Sequence, residues 1–298
     1  MPGYSSLPPL NFLGLPPEES GFEQSAALVL PIPYEATTSY GGGTRNGPDA
    51  LLKASTQVER YDAEFDMEPA RRWGIHTLPA VAPHCRGPEA MTEAICAAVF
   101  EYIPTGKLLC VLGGEHTVSV GVVRALAQSG HDFVTVQLDA HADLRSEYDG
   151  TEYSHACTAR RILDYSPLVQ LGIRSLDITE AEFLRENTHR VTTIYAAQMQ
   201  QDQAYLERLA ELVRGRSVYL TLDMDAFDPS LIPAVGTPEP GGLFWYDVLD
   251  IIRTIAAHSR ILAFDCVELA PIPGNHASDF IAAKLVYKII SIVLAAYR

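Results

Sequence analysis

The chain alternates short apolar runs with helix-length amphipathic stretches, and no other feature constrains its fold as strongly. The runs are Ala26–Pro31, Leu108–Leu112, Phe133–Leu138, Leu168–Gly172, Val191–Tyr195, Ser217–Leu222 and Ile261–Val267. Each is strand-length, and most are apolar throughout rather than at every second residue, the pattern of strands covered on both faces. Helical patterns cover Pro48–Ser55, Pro88–Tyr102, Val118–Gln128, His155–Leu163, Thr179–Glu186, Gln203–Arg214, Trp245–Ala257 and Ser278–Tyr297. Alternation of this kind predicts βαβ units and a three-layer α/β/α architecture with a mostly parallel central sheet. No repeat or internal linker divides the chain. The expected organisation is a single domain over residues 26–298, preceded by a Pro-rich arm over residues 1–25.

Composition narrows the class of partner. With 298 residues and 47% apolar content the chain can build a large core. A net charge of −15 argues against nucleic acid or an anionic membrane as partner and is compatible with a cationic small molecule. The apolar run Ile289–Tyr297 is too short to span a membrane, and the N-terminus lacks the pattern of a secretory signal. Five cysteines, an odd number without a CxxC pair, predict reduced thiols and a cytoplasmic location. Gly41-Gly42-Gly43 matches no phosphate-loop pattern and reads as a structural loop, with a substrate-facing loop as the alternative.

Four polar clusters fall where apolar strands end. They are Gly113-Gly114-Glu115-His116, Asp139-Ala140-His141-Ala142-Asp143, Asp223-Met224-Asp225 and Asp265-Cys266-Val267-Glu268. In an open parallel sheet, ligands bind beyond the carboxyl ends of the strands. In extended chain, residues two apart share a face, so Asp139, His141 and Asp143 start on one side, as do Asp223 and Asp225. Buried carboxylates this close repel unless they are paired or bound to a cation. His116, Asp139, His141, Asp143, Asp223 and Asp225 make six donors, more than one tetrahedral zinc ion takes. They suit two cations about 3.5–4 Å apart, and the predominance of oxygen favours Mn²⁺. A water between two such ions is largely hydroxide near neutral pH, which implies hydrolysis. Of the other histidines, His76, His84, His131, His189, His258 and His276 read as structural.

At these residues the sequence resembles the ureohydrolase family of arginases and agmatinases. Further matching stretches are Leu144-Arg145, Ala226-Phe227-Asp228-Pro229, Gly236-Thr237-Pro238-Glu239-Pro240-Gly241-Gly242 and Leu269-Ala270-Pro271, in the family's order. The resemblance implies two manganese ions, one on His116, Asp139, Asp143 and Asp223, the other on Asp139, His141, Asp223 and Asp225, with Asp139 and Asp223 bridging. It implies attack on a guanidinium carbon and release of urea and an amine, with Asp143, His155 and Glu268 as the catalytic groups. Glu268 would grip the guanidinium, supported by Thr237, and His155 would relay the proton to the leaving amine. The stretch after His155, Ala156-Cys157, departs from the Gly or Ser that many relatives carry there. A trimer or hexamer is the oligomer the family suggests.

The loop Leu144–Ser154 bears on substrate choice. It lacks the Asn-Thr and Ser-Gly-Asn groups with which arginases hold an amino-acid head, and it carries Glu147, Asp149 and Glu152. These acids would bind an ammonium, and the loop resembles that of bacterial agmatinases. The expectation is therefore hydrolysis of agmatine to putrescine and urea. Arginine, guanidinobutyrate and formiminoglutamate are the alternative substrates. Arg145 has two readings: an ion pair with Glu147 or Asp149, or an inward cation that selects an acidic substrate. A catalytically silent metal-dependent binding protein is the alternative of a different class.

Overall fold

In the computed structural model, which describes residues 10–202 and 204–297, eight strands form one parallel sheet. They are β1 (Ala27–Ile32), β2 (Ile75–Thr77), β3 (Leu108–Gly113), β4 (Phe133–Leu138), β5 (Leu168–Ile173), β6 (Val191–Tyr195), β7 (Ser217–Asp223) and β8 (Arg260–Val267). The order across the sheet is β2-β1-β3-β8-β7-β4-β5-β6, and every neighbouring pair is parallel. All seven expected strands are present. The eighth, β2, is a three-residue edge strand whose Ile-His-Thr sequence has no apolar run to announce it.

Among the described residues ten α-helices cover the sheet: α1 (Gly47–Ser55), α2 (Pro69–Trp73), α3 (Pro88–Tyr102), α4 (Val118–Gln128), α5 (Thr158–Ile162), α6 (Ile178–Glu186), α7 (Ala196–Met199), α8 (Ala204–Val213), α9 (Trp245–His258) and α10 (Ala277–Tyr297). Successive strand residues point to opposite faces, and the two cores follow this parity. Ala27 and Val29 of β1 join Leu51, Leu209, Ile252 and Ile289 on the side of α1, α8, α9 and α10. Leu28 and Leu30 join Ile95, Val122, Ile162 and Leu184 on the side of α3 to α6. This is the expected three-layer α/β/α arrangement. The helix expected over His155–Leu163 begins instead with a 3₁₀ turn at His155–Cys157 before α5. Of the expected arm, residues 1–9 lie outside the described residues. Phe12 and Leu15 are fully buried in the main core, and Leu13 N–H donates to Ser55 Oγ at 2.8 Å.

One expectation is corrected. The C-terminal apolar segment is longer than Ile289–Tyr297: α10 runs over Ala277–Tyr297 and is long and apolar enough to cross a membrane by length and composition. Lys288 does not interrupt it, because its ammonium is buried against Asp62, at 2.8 Å, and Glu64, at 2.7 Å. The helix packs mainly against α1 and α9, with most of its residues buried inside the protein. All five cysteines are free; Cys85 is exposed and Cys157 is buried.

The strand order sets β3, β8, β7 and β4 side by side, so all four polar clusters emerge at one edge. Gly114 is tightly constrained there. Its N–H donates to Ile32 O at 2.9 Å, and a Cβ at this position would run into the backbone of Tyr34. Gly114→Ala should therefore cost about 3 kcal/mol of stability, read as a lower urea midpoint. An unchanged midpoint would show that the β1–β3 junction yields easily.

Candidate metal and active site

His116 follows the turn after β3, Asp139 follows β4, Asp223 ends β7 and Glu268 follows β8. The chain is held at each exit by backbone bonds: Glu115 N–H to Tyr34 O at 2.9 Å, Asp139 N–H to Leu171 O at 3.1 Å, and Glu268 N–H to Gly114 O at 2.9 Å. The exits carry buried acids. Asp139 is wholly inaccessible, and Asp143, Asp223, Asp225 and Glu268 are buried with it. Asp143 and Glu268 both adopt left-handed backbone, with φ of 53° and 62°, a conformation that costs a non-glycine residue of order 1 kcal/mol or more.

Around His116 Nδ1 lie three carboxylate oxygens: Asp143 Oδ2 at 3.1 Å, and Asp139 Oδ2 and Asp223 Oδ2 at 3.2 Å. Around His141 Nδ1 lie Asp225 Oδ2 at 2.9 Å and Asp139 Oδ1 at 3.8 Å. Two groups could each hold a metal ion: His116 with Asp139 and Asp223, and Asp139 with His141 and Asp225. Asp139 belongs to both, one oxygen toward each histidine. Asp223 offers Oδ2 to the His116 group, and its Oδ1 accepts the Asp225 N–H at 2.8 Å.

The donor set fits a cation on a specific ground. His116 Nδ1 is buried without a hydrogen-bond partner, although three carboxylate oxygens crowd it. A nitrogen lone pair facing three anions is repulsive unless a positive charge lies between them. Protons supply that charge in the metal-free protein. Burial opposes a charged His116, but Asp139, Asp143 and Asp223 outweigh it and hold its pKa well above the usual imidazole value. His141 is pushed up to about 10, burial again being outweighed, here mainly by Asp225. Burial, then Asp225 and Asp143, lift Asp139 to about 7. Burial likewise raises Asp223 and Glu268 well above the carboxylate range. Asp225 goes the other way, to about 2: burial is outweighed by its bond with His141.

A cavity of about 140 Å³ opens above the cluster. His141, Asp143, Asp223, Asp225 and Glu268 line it together with His155, Ala156, Thr237, Arg145, Tyr148 and Ser39. His155 thus shares the cavity with the acids. Its N–H donates to Thr37 Oγ1 at 2.9 Å, and Ser39 Oγ lies 3.5 Å from Nε2. The loop bearing Thr37 and Ser39 is fixed by the wholly buried Glu115, whose carboxylate accepts the N–H groups of Ala36 and Thr37, both at 2.7 Å. Gly41 packs backbone to backbone on Gly236, leaving no room for a Cβ on either. The glycine loop read as structural therefore places Ser39 at the site. A larger cavity, about 470 Å³, lies at the opposite edge of the sheet, among residues such as Leu108, Leu126 and Ile261. The acid cluster is not there.

The substrate loop departs from expectation. Glu147, Asp149 and Glu152 are exposed and lie outside the cavity lining, and Glu152 pairs with Arg161 at 2.9 Å. Arg145 is not paired with Glu147 or Asp149. It faces Asp177 at 3.7 Å and stacks over the Tyr148 ring at 5.1 Å. The cause is the capping box at the start of α6. Asp177 Oδ1 caps Thr179 N–H at 2.9 Å, while Glu180 accepts Asp177 N–H at 2.7 Å and Leu144 N–H at 2.8 Å. A helix more than thirty residues downstream thereby holds Leu144-Arg145. Ser39 is a cavity residue with no signal in the sequence, since a lone serine in a polar loop resembles any other; Tyr148 stands in the Tyr-x-Gly stretch of the loop that resembles that of bacterial agmatinases.

A parallel sheet with acid clusters that could hold metal ions at its carboxyl edge defines the class of site, and comparison with known proteins identifies the family. The family model described as "Arginase family" matches residues 25–291, and the chain belongs to that family. It is an enzyme of the ureohydrolase type, acting on amidino C–N bonds. It is 38% identical to an N(1)-aminopropylagmatine ureohydrolase of Synechocystis sp. over 276 residues, 91% of this chain and 90% of that protein. It is 30% identical to an agmatinase of Pyrococcus horikoshii, over 88% of this chain and 90% of that protein. The crystal structure of an agmatine ureohydrolase from Thermoplasma volcanium superposes with a TM-score of 0.84 at 32% identity, covering 93% of each chain.

The protonated state of the metal-free cluster has a sign that can be tested. The raised carboxyl groups bind more protons folded than unfolded above about pH 4, Asp139 up to about 7, and the raised histidines do so above about 6.5. Both make the metal-free protein lose stability as pH rises; the lowered Asp225 acts only below about pH 4. A cation displaces these protons. The rise in Tm caused by Mn²⁺ should therefore be larger at pH 8.5 than at pH 6. An equal rise at both would place the metal elsewhere.

Proposed function

We propose that the protein is a manganese-dependent ureohydrolase of agmatine-type guanidines, with N(1)-aminopropylagmatine as its preferred substrate. The observation that carries this reading is the pairing of Arg145 with Asp177. The arginine at the cavity is thereby compensated, while the exposed acids Glu147 and Asp149 sit on the same loop. A carboxylate at the distal end of the substrate finds no free cation in Arg145, whereas ammonium groups find acids. The cavity is smaller than the ~300 Å³ typical of a pocket for a drug-sized ligand. It suits the guanidinium end and leaves the rest of a long cation to extend past Tyr148. The relative at 38% identity acts, by its name, on such an extended substrate. Agmatine itself is the second reading, favoured by the agmatinases among the relatives and by the loop sequence.

His116, Asp139, His141, Asp143, Asp223 and Asp225 would hold two Mn²⁺ ions, oxygen donors favouring this metal over zinc. When bound, the pair supplies positive charge for the buried acids and an acidified water as nucleophile. The chain's own groups do the rest. Glu268 accepts His116 N–H at 2.6 Å through Oε1, which orients the carboxylate; its other oxygen is free to accept a guanidinium N–H. Asp143, lining the same cavity, takes the proton of the attacking water. Attack forms a C–O bond at the guanidinium carbon. Breaking the C–N bond releases urea as the remaining hydroxyl proton passes to the leaving nitrogen, which must gain one further proton to depart as an ammonium. His155, held by Thr37 and Ser39 in the same cavity, would donate it. The products are urea and the triamine, or putrescine when agmatine is the substrate.

Steady-state kinetics with N(1)-aminopropylagmatine, agmatine, arginine and guanidinobutyrate test the substrate. Desolvating a carboxylate beside acids costs a few kcal/mol, so arginine and guanidinobutyrate should fall about 10²-fold or more behind the best amine in kcat/KM. Agmatine exceeding its aminopropyl derivative would select the second reading, and equal rates with arginine would defeat both. Separately, His155→Ala should lower kcat by about 10²–10⁴-fold with bound metal unchanged. A rise in KM alone would assign His155 to binding instead of proton transfer.

A further inference from the structure

Asp265 is wholly buried on β8, in register with Thr221 of β7, on the face covered by α3 and α4. It lies outside the cavity lining, yet it accepts four hydrogen bonds. Oδ1 takes Thr221 Oγ1–H at 2.8 Å and Leu222 N–H at 3.1 Å; Oδ2 takes Ser119 Oγ–H at 2.6 Å and the hydroxyl of Tyr219. All four donors are neutral, and no ion pair to Asp265 is present among the described residues. These donors satisfy the carboxylate, and one of them, Thr221, links it to the acid cluster.

The donor arithmetic shows what it acts on. A threonine hydroxyl has one proton. Ser119 gives its own proton to Asp265 and has none for Thr221, which lies 3.3 Å away. Thr221 gives its proton to the closer and charged acceptor, Asp265. Its oxygen, 2.9 Å from His116 Nε2, can then only accept. The hydrogen on neutral His116 must sit on Nε2, which leaves the Nδ1 lone pair aimed at Asp139, Asp143 and Asp223.

We infer that Asp265 is a positioning residue for the metal centre: through Thr221 it fixes His116 in the tautomer and ring orientation that offer Nδ1 to a cation. The inference rests on His116 being a ligand, as proposed above. The same chain polarises the imidazole and makes Nδ1 a stronger donor, as a carboxylate behind a ligating histidine does. Asp265 belongs to a strand-end cluster from which only Glu268 reaches the cavity, so this also explains the acid three residues before it.

Mn²⁺ titration followed by the EPR signal of free Mn²⁺ tests this. Thr221→Val keeps the shape and removes the relay; it should weaken the binding of one ion about 10- to 100-fold. Thr221→Ser, which keeps the hydroxyl, should stay within about threefold of wild type. Asp265→Asn should weaken binding as Thr221→Val does. If Asp265→Asn does not fold by circular dichroism, the Val and Ser pair decides alone. His116→Ala is the control. Should it bind two ions as wild type does, the ligand reading fails. Should it lose an ion while Thr221→Val binds like wild type, the positioning role is overturned.

Discussion

The structure is organised around carboxylates packed closer together than water-free surroundings tolerate. Asp139, Asp143, Asp223, Asp225 and Glu268 converge at the ends of adjacent parallel strands, nearly without solvent. Each uncompensated charge there would cost several kcal/mol. Protons or cations must make up the difference, and the geometry of His116 and His141 prepares it for cations. The parallel sheet makes the convergence possible, because all its strands leave at one edge, where helix-bearing loops can turn side chains inward.

Around this cluster stands a second set of acids whose oxygens are met by hydrogen-bond donors. Glu115 accepts two backbone N–H groups and the Thr37 hydroxyl; Glu180 accepts two backbone N–H groups; Asp265 accepts four donors. Burial nonetheless raises the pKa of Glu180. Each of these acids fixes a piece of the site: the Thr37–Ser39 loop, the Leu144–Arg145 turn and the His116 ring. The contrast separates acids that build the site from acids that face one another across it.

Two residues with left-handed backbone, Asp143 and Glu268, fall at the same place, whereas Leu13, Asp66 and Asp149 lie outside the cavity lining. Left-handed Asp143 and Glu268 persist because neighbouring bonds over-determine them: Arg160 N–H to Asp143 O at 3.1 Å, and Glu268 N–H to Gly114 O at 2.9 Å. Both residues direct a carboxylate into the cavity, and a regular strand continuation would carry those side chains along the sheet instead.

The sequence by itself determined the layers, the strands and the acid cluster. Apolar runs such as Phe133–Leu138 mark strands buried on both faces, and the two-residue spacing of Asp139, His141 and Asp143 marks one face of extended chain. These are local signals, written within a few residues. Strand β2 lacked such a signal, being short and at an edge. Tertiary structure alone decided the order β3-β8-β7-β4, which brings residues from four distant segments to one edge. It also decided that Asp177 compensates Arg145, that Ser39 and Tyr148 wall the cavity, and that Thr221 joins Asp265 to His116. Each of these contacts pairs side chains far apart in the chain, and no local pattern encodes a partner that only folding brings within reach.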